Sequence, residues 1–169
     1  VEDIRKNVVN QFGFNKVYKQ GLNISTPINL SLQKIAIKSL REGLISYDKR
    51  KGWRGPLLRE IKIKNWKSKI EKFKLEKSIN WKIAIVRKIN KFSIEIKTEN
   101  DLNGIVKYEN ISWIKKDFKE ILKVGDVVYV ENLHENIFAL RQLPLVNGGI
   151  VVMDPFTGRV LALSGGFSF

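Results

Sequence analysis

The stretch that most constrains the fold is residues 147–169, which carry two short apolar runs, Gly149–Met153 and Arg159–Leu163. Between the runs, Pro155 presets the φ of a turn's second position and Gly158 supplies a positive φ, so the runs are predicted to form a β-hairpin. Val, Ile and Leu occupy both faces of each run, which is typical of strands inside a covered sheet. A buried hairpin with nothing after it is half of a sheet, so we expect this chain to be a piece of a larger protein.

These residues resemble the opening hairpin of the transpeptidase domain in class A, bifunctional penicillin-binding proteins of the 1A type. The family pattern is close to G-A-L-V-A-[ML]-D-P-x-T-G-x-V-L-A-L-V-G-G-[FR]-x-F. The chain matches this pattern at Gly149, Ile150, Val151, Val152, Met153, Asp154, Pro155, Thr157, Gly158, Val160, Leu161, Ala162, Leu163, Gly165, Gly166 and Phe169. In the family the Ser-x-x-Lys nucleophile motif follows this hairpin, so the resemblance implies that the chain contains no active site.

A helix is predicted to begin after Asn29, because apolar residues recur at three- and four-residue steps and Asn is a good N-cap. The apolar stripe consists of Leu32, Ile35, Ala36, Leu40, Gly43, Leu44 and Tyr47. The Gly and Pro residues of Asp48–Pro56 are predicted to end this helix. Further upstream, the sequence predicts a short helix near Glu2–Phe12 and a short strand over Gly21–Thr26.

Both of these regions resemble the same family. Its pattern G-L-x-V-x-T-[ST]-[LI]-D-P-x-[LM]-Q is matched at Gly21, Leu22, Thr26, Ile28, Leu32 and Gln33. Asn29 and Leu30 replace the Asp and Pro of that pattern, and the first change costs little because Asn caps a helix about as well as Asp. The family segment Y-[DE]-R-R-H-G-[YW]-R-G-P is matched at Tyr47, Asp48, Arg50, Gly52, Trp53, Arg54, Gly55 and Pro56.

The middle of the chain is predicted to contain a leading helix and five short strands. Glu60–Lys74 has helical spacing, with Ile63, Trp66, Ile70 and Phe73 on one side. The strands are predicted over Trp81–Ile89, Phe92–Lys97, Ile105–Tyr108, Val127–Glu131 and Phe138–Leu143. Asn103-Gly104 is a strong turn signal, and Phe92, in step with Ile94 and Ile96, is predicted to lie in the core.

Five short strands with a helical interruption after the third predict a small Greek-key barrel of the OB type. The resemblance implies the same architecture, since 1A-type proteins carry an OB-like insert at this position. The family's V-G-D-V turn is recognisable at Gly125 and Asp126, and its exit segment L-R-Q-[IL]-P is recognisable at Leu140–Pro144.

The predicted fold class is therefore α+β, with a five-stranded OB-like barrel inserted into a helix-plus-hairpin edge of a transpeptidase domain. Residues 1–57 are predicted to form a linker and the first strand and helix of the transpeptidase region. Residues 58–140 are predicted to form the OB-like domain with its leading helix. Residues 141–169 are predicted to form the first hairpin of the transpeptidase domain, packed beside the helix that follows Asn29.

The chain is strongly basic, with 31 Lys and Arg against 17 Asp and Glu and a net charge of +14. This balance indicates anionic partners such as nucleic acid, phospholipid headgroups or acidic polymers, although Lys, Ile and Asn recur throughout the chain as in a compositional bias. The absence of Cys excludes disulfides and Cys-based zinc sites. No run approaches the roughly 20 apolar residues of a membrane span, so we expect a membrane anchor to lie upstream.

Two short matches to catalytic motifs are interpreted as coincidences. Ser31-Leu32-Gln33-Lys34 fits Ser-x-x-Lys and Ser78-Ile79-Asn80 fits Ser-x-Asn, but the Lys-Thr-Gly element is missing. Penicillin is not expected to acylate Ser31, which lies upstream of the family's nucleophile. His134 has no second His or Cys as a partner and is predicted to be a solvated loop residue. We therefore predict no catalytic residue, no metal site and no cofactor.

Four aromatic residues leave a different function open. OB barrels that bind single strands stack bases on exposed aromatic rings in a basic groove. Trp81, Phe92, Tyr108 and Trp113 would supply such a platform unless they fill the core. The alternative function is therefore an independent OB module that binds nucleic acid or an anionic polysaccharide, whereas the preferred prediction has no nucleic-acid partner.

The resemblance implies a non-catalytic docking and regulatory module. It implies a parent protein that spans the inner membrane once and, at the periplasmic face, polymerises and cross-links peptidoglycan from lipid II. The implied partner is a protein regulator of peptidoglycan synthesis, such as an outer-membrane lipoprotein or a division-complex protein. Lipid II, peptidoglycan and β-lactams are ligands of the parent and are not expected to bind this chain covalently.

Overall fold

The computed structural model describes residues 2–20, 22–114 and 116–168. Across these residues the α-helices are α1 (Glu2–Phe12), α2 (Leu30–Arg50) and α3 (Phe118–Ile121). The strands are β1 (Trp81–Ile89), β2 (Ser93–Thr98), β3 (Asn103–Lys107), β4 (Val127–His134), β5 (Ile137–Arg141), β6 (Gly149–Met153) and β7 (Val160–Gly165). The predicted helix near Glu2–Phe12 is confirmed. The predicted strand over Gly21–Thr26 is wrong, because residues 22–29 lie in no helix or strand, and Gly21 itself lies outside the described residues.

Helix α2 begins where the sequence predicts. The side-chain oxygen of Asn29 accepts hydrogen bonds from the backbone nitrogens of Ser31 and Leu32, both at 3.0 Å, so Asn29 is the N-cap. Ala36 and Leu44 of the predicted apolar stripe are buried. The outer members of that stripe, Ile35 and Tyr47, are exposed in this chain.

The predicted OB barrel is confirmed. Strands β1 to β5 close into a barrel in the order β1-β2-β3-β5-β4, with β3 and β5 parallel and the other pairs antiparallel. The 3-10 helix Tyr108–Ile114 and α3 lie between β3 and β4 in the chain, as the helical interruption predicts. The barrel core is formed by apolar residues from all five strands and this interruption, including Val86, Ile94, Ile96, Val106, Ile111, Ile121, Leu122, Val130, Phe138 and Leu140.

The leading segment of the barrel covers the outer face of β1. The predicted helix over Glu60–Lys74 is wrong in type, because three separate 3-10 turns occupy Ile63–Asn65, Lys67–Lys69 and Glu71–Phe73. Trp66 and Ile70 are nevertheless buried and pack on the outside of β1 and β4. Residues 83–86 of β1 are consequently buried on both faces of the strand.

Two local predictions in the barrel are wrong. Phe92 precedes β2 and is 68% exposed, because the period-two pattern continues into the turn that the residue occupies. Asn103 and Gly104 do not form a turn but begin β3, and the turn lies before them. A Cβ atom at Gly104 would lie 2.4 Å from two ring carbons of Phe138, so glycine is required there by packing.

The predicted hairpin is confirmed as β6 and β7, which pair antiparallel. Its turn is held by Asp154, whose carboxylate accepts hydrogen bonds from the backbone nitrogens of Phe156 and Thr157, while Gly158 adopts a φ of +69°. Helix α2 packs on one face of the hairpin. Within the described part of the chain the other face stays uncovered, since Val151 and Met153 are each 54% exposed. We refer to α2, β6 and β7 as the helix–hairpin unit.

Candidate functional site at the base of the barrel

The two connections of the barrel meet at the end of α2, around a buried carboxylate. Asp48 lies in the last turn of α2 and is 2% exposed. One of its oxygens accepts hydrogen bonds from Nη1 of Arg54 at 2.8 Å and from the backbone nitrogen of Leu145 at 3.3 Å. Its other oxygen accepts a hydrogen bond from Nε2 of Gln142 at 2.8 Å. Asp48 is therefore bonded to both connections of the barrel: to Arg54 in the segment that enters it, and to Gln142 and Leu145 in the segment that leaves it.

Arg54 and Gln142 also form hydrogen bonds between the two connections of the barrel. The backbone nitrogen of Arg54 donates to Oε1 of Gln142 at 2.8 Å, and Nη2 of Arg54 donates to the carbonyl of Leu143 at 2.6 Å. Nε2 of Gln142 donates further to the carbonyl of Gly52 at 3.0 Å. We call Asp48, Arg54 and Gln142 the base clamp. Because its charges are paired and its polar groups are bonded, the base clamp is a stable arrangement despite its burial.

The electrostatics of the base clamp keep Asp48 ionised. Burial raises the pKa of the Asp48 carboxyl, but the hydrogen bonds from Arg54, Gln142 and Leu145 outweigh burial and hold the pKa below its usual value. The carboxylate is therefore charged at neutral pH and stays paired with the Arg54 guanidinium.

A second tie joins the same elements through Arg41. Its Nε donates to the carbonyl of Phe167 at 3.0 Å, and its Nη1 donates to the carbonyl of Ser78 at 2.9 Å. The ring of Phe167 packs on Trp81 with ring centroids 5.2 Å apart. Arg41 thus connects α2 with the end of the hairpin and with the segment that enters β1.

The outer edge of β7 is paired by the start of α2. The backbone nitrogen of Asn29 donates to the carbonyl of Leu161 at 2.8 Å. The side-chain amide of Gln33 then donates to the carbonyl of Leu163 at 2.8 Å and accepts from its nitrogen at 3.0 Å. The Gln33 amide therefore pairs with β7 as a peptide group of a neighbouring strand would.

The motif residues singled out from the sequence fall into separate groups. Gly52 and Arg54 lie at the base clamp, followed by Gly55 with a φ of +109° and Pro56. Half-buried Leu32 lies beside Gln33 on α2. The hairpin holds the turn residues Asp154, Pro155, Thr157 and Gly158, with Gly165 and Gly166 at the end of β7.

Gly125 and Asp126 lie away from the base clamp, between the leading segment and β4. Asp126 is fully buried, and its carboxylate accepts hydrogen bonds from the backbone nitrogens of Glu60 and Lys123, each at 2.9 Å. A Cβ atom at Gly125 would lie 2.8 Å from the carbonyl oxygen of Ile61. This pair therefore fastens the leading segment to the start of β4.

Neither Asp48 nor Arg41 is predicted from the sequence to be a functional residue. Asp48 had a detectable signal, because it follows Ala36, Leu40 and Leu44 at four-residue steps and so continues the buried stripe of α2. An acidic residue in phase with an apolar stripe requires a buried partner. Arg41 had no such signal, since its bonds are to backbone and hydroxyl groups distant in sequence.

The remaining candidates for chemistry are dispersed. Ser31 is exposed in the first turn of α2, and His134 is exposed at the end of β4. Among residues 2–20, 22–114 and 116–168, no three His, Cys, Asp or Glu side chains come together as metal ligands would. No described helix combines the length and apolar character that crossing a membrane requires.

The four aromatic residues do not form one platform. Trp81 packs on Phe167 and Tyr129, and Trp113 packs edge-on against Trp53. Phe92 and Tyr108 are exposed and adjacent, since the nitrogen of Tyr108 donates to the carbonyl of Phe92 at 3.1 Å.

Comparison with known proteins agrees with this architecture. The family model of the penicillin-binding protein OB-like domain matches residues 53–146. Penicillin-binding protein 1A of Rickettsia conorii is 36% identical over 98% of this chain and 21% of its own length, and that of Pseudomonas aeruginosa is 26% identical over 99% of this chain and 22% of its own. The chain thus spans about a fifth of the length of these relatives.

A solved structure matches both the barrel and the helix–hairpin unit. The crystal structure of penicillin-binding protein 1A from Haemophilus influenzae aligns with a TM-score of 0.77 and 26% identity, over 99% of this chain and 25% of that one. The family model covers more than half of the chain, and the relatives align along nearly all of it. The chain therefore belongs to the penicillin-binding proteins of the 1A type, and residues 53–146 form its OB-like domain.

Proposed function

We propose that this chain is a non-catalytic docking and regulatory part of a bifunctional peptidoglycan synthase. The observation that carries the proposal is the base clamp, which bonds both connections of the barrel to one point at the end of α2. A barrel held in this way cannot tilt without moving α2 or the segment that leads into β6. A partner that binds the barrel therefore has a mechanical route to the helix–hairpin unit.

The route consists of bonded and packed groups throughout. The base clamp joins the barrel exit to α2, and Gln33 and Arg41 join α2 to β7 and to the residues that follow it. Coupling of this kind requires an element with two arrangements that the partner binds unequally. We assign that role to the position of the barrel relative to α2.

The proposal extends to the protein of which this chain is a part. That protein would polymerise and cross-link peptidoglycan from lipid II at the periplasmic face of the inner membrane. The docking partner would be a protein regulator of peptidoglycan synthesis, such as an outer-membrane lipoprotein or a division-complex protein. The chain itself would form no acyl-enzyme, so exposure to penicillin should leave its mass unchanged, and a covalent adduct abolished by Ser31→Ala would refute this part.

The regulatory role is tested in the full-length protein. Residues 58–138 are replaced by a short linker, and cross-linking is measured with and without the regulator. We expect the basal rate to persist and the stimulation by the regulator to disappear. Stimulation that survives the deletion would exclude the barrel as the docking module.

A second function is favoured by one specific observation. Phe92 and Tyr108 are both exposed and are joined by a backbone hydrogen bond, and the ammonium of Lys91 lies 5.2 Å from the centre of the Phe92 ring. This arrangement suits base stacking or sugar stacking in an independent OB module for nucleic acid or an anionic polysaccharide. Its test is binding of single-stranded oligonucleotides and of an acidic polysaccharide at physiological salt. Binding lost in Phe92→Ala would support this function, whereas weak binding that vanishes with salt would reflect only the net charge.

A further inference from the structure

A basic groove of about 360 Å³ lies on the outside of the barrel. Four cationic side chains line it: Lys64, Lys67, Arg87 and Lys97. They come from three separate parts of the chain, namely the 3-10 turns of the leading segment, β1 and β2. The fold therefore gathers positive charge here from positions that are distant in sequence.

One acid within the groove pairs with two of these four cations and balances only one of the four positive charges. The carboxylate of Asp101 pairs with Nζ of Lys67 at 2.5 Å and with Nζ of Lys97 at 3.0 Å. The side chains of Lys64 and Arg87 have no hydrogen bond or ion pair with any residue that the structure describes. Two cationic groups therefore remain available to a ligand.

The position of Arg87 results from a break in the strand pairing. The register of β1 against β2 passes from Val86 opposite Ile96 to Lys88 opposite Glu95, so Arg87 is the extra residue of a β-bulge. Bulges redirect the side chain that they carry. The guanidinium of arginine has a planar fork that bonds both oxygens of a carboxylate.

Asp101 shows what kind of group the groove accommodates. Its backbone has a φ of +64°, which is unusual for a residue other than glycine, and its side chain is 59% exposed. The ammonium groups of Lys67 and then Lys97 hold the pKa of the Asp101 carboxyl below its usual value. The groove thus favours an ionised carboxylate.

An apolar hollow of about 440 Å³ adjoins the basic groove and distinguishes among anionic ligands. The two share the wall formed by Ile63, Lys64 and Asn65, and half-exposed Val124 lies in the hollow. A bare phosphate or a sugar acid has nothing to place there. A peptide with an apolar residue beside its carboxylates fills both.

We propose that the basic groove binds an acidic segment of a protein partner, with carboxylates on Lys64 and Arg87 and an apolar side chain in the adjoining hollow. The proposal rests on the proposed docking function and assigns it a surface and a partner chemistry. The partner segment is defined by its charge and by one apolar residue, and neither Phe92 nor Tyr108 takes part.

The test uses the 169-residue chain and a short synthetic peptide of Asp and Glu with two central leucines. Backbone amide shifts report where the peptide binds, and titration gives its affinity at physiological salt. The double variant Lys64→Glu with Arg87→Glu should bind about tenfold more weakly or worse, because two exposed ion pairs are replaced by repulsion. The double variant Lys107→Glu with Lys119→Glu changes the net charge equally outside the groove and should bind within about twofold of the unchanged chain.

Two further probes fix the ligand class. A peptide with serine in place of the leucines should bind several-fold more weakly, and inorganic phosphate should not compete at equal concentration. Equal loss of affinity in both double variants, or shifts at residues outside the groove and hollow, would overturn the proposal. The proposal would also be overturned if the serine peptide bound as tightly as the leucine peptide and phosphate competed at equal concentration. The groove would then be a general anion site.

The same double variants in the full-length protein separate this proposal from the docking function. If deletion of residues 58–138 abolishes stimulation by the regulator and Lys64→Glu with Arg87→Glu does not, the groove is wrong and the docking function stands. If stimulation survives the deletion, the docking function fails whatever the peptide does. Loss of stimulation in both supports both proposals.

Discussion

The barrel and the helix–hairpin unit bury their apolar residues in different ways. The barrel closes on itself, and residues 83–86 of β1 are covered on both faces. The hairpin is covered by α2 on one face only, and Val151, Met153 and Leu163 on the other face are each more than half exposed. One region holds a complete core, whereas the other presents a face that is apolar and uncovered within the described residues.

The difference teaches that the two regions are held together by different interactions. The barrel depends on packing around Phe138 and its neighbours. The helix–hairpin unit has few buried apolar residues, and polar ties from Gln33, Arg41 and Asp48 position it. Substitutions in the two regions should therefore differ in the size of their effect on stability and in the measurement that detects them.

The largest effect should come from the barrel core. Phe138 is 1% exposed, and Phe138→Ala should lower the free energy of unfolding by about 3–5 kcal/mol. Phe92→Ala removes the same side chain from a site that is 68% exposed and should change stability by less than about 0.5 kcal/mol. Urea unfolding monitored by tryptophan fluorescence measures both. Similar losses in the two variants would mean that the barrel does not hold the core described here.

The next largest effect should come from the base clamp. Asp48→Asn leaves Arg54 without its carboxylate and should cost about 2 kcal/mol, less than for a fully buried pair because Arg54 is one-third exposed. Since the folded state lowers the pKa of Asp48, its contribution is complete above an unfolded pKa of about 3.9 and is lost as pH falls through the lower folded value. The thermal midpoint of the unchanged chain should therefore drop more steeply below about pH 4 than that of Asp48→Asn.

Glu42→Gln is the matched control for the base clamp. Glu42 lies on the same helix in an exposed pair with Lys38 at 3.9 Å and should contribute less than about 0.5 kcal/mol. Equal pH profiles for the unchanged chain and Asp48→Asn would contradict the electrostatic role of the base clamp.

A smaller, local effect should come from the edge of β7. Gln33→Ala removes two hydrogen bonds to Leu163 and should cost about 1 kcal/mol because the site is exposed. Hydrogen exchange of the Leu163 amide should accelerate about fivefold, while the amides of β1 to β5 keep their protection. Lys34→Ala, one residue further along the helix, serves as control. Acceleration throughout the barrel would show that the two regions are not independent.

The smallest effect on stability should come from the uncovered face of the hairpin. Val151→Lys should change the free energy of unfolding by less than about 0.5 kcal/mol, because the residue is 54% exposed. It should nevertheless reduce self-association of the isolated chain, since an exposed apolar face promotes association. Val124→Lys is the matched control in the barrel, where Val124 is 50% exposed. Sedimentation of the unchanged chain and the two variants at equal concentration measures self-association. If Val151→Lys associates as strongly as the unchanged chain, the exposed face of the hairpin is not the cause of association.

The strands of the barrel could be predicted because their signals are local. Strand β1 agrees with the sequence prediction at both ends, since apolar alternation is bounded by turn residues. The prediction for the leading segment is wrong because the three- and four-residue steps between its apolar residues also suit an α-helix. Successive 3-10 turns bury the same Trp66 and Ile70. The spacing of the apolar residues thus predicts which side chains are buried, but it does not distinguish an α-helix from successive 3-10 turns.

The remaining features depend on contacts between distant residues. Asn103-Gly104 reads as a turn, yet glycine serves there to make room for the Phe138 ring across the parallel pair of β3 and β5. The base clamp joins Asp48 to Gln142, which lies 94 positions away, and no local pattern pairs them. The predicted division at residues 57, 58, 140 and 141 stays a prediction, since packing across the base joins the parts on either side.

The closeness of the barrel's two connections has a consequence for the order of folding. Gln33 and Leu163 must meet across 130 positions, a long loop to close from an unfolded chain. A barrel that folds first brings Gly52 and Gln142 together and removes 90 of those positions from the search. By the logarithmic dependence of loop closure on length, this lowers the entropic cost of docking the hairpin by about 1 kcal/mol. The barrel thereby prepares the docking site of the hairpin, and slow folding of the barrel would delay the docking of β6 and β7 on α2.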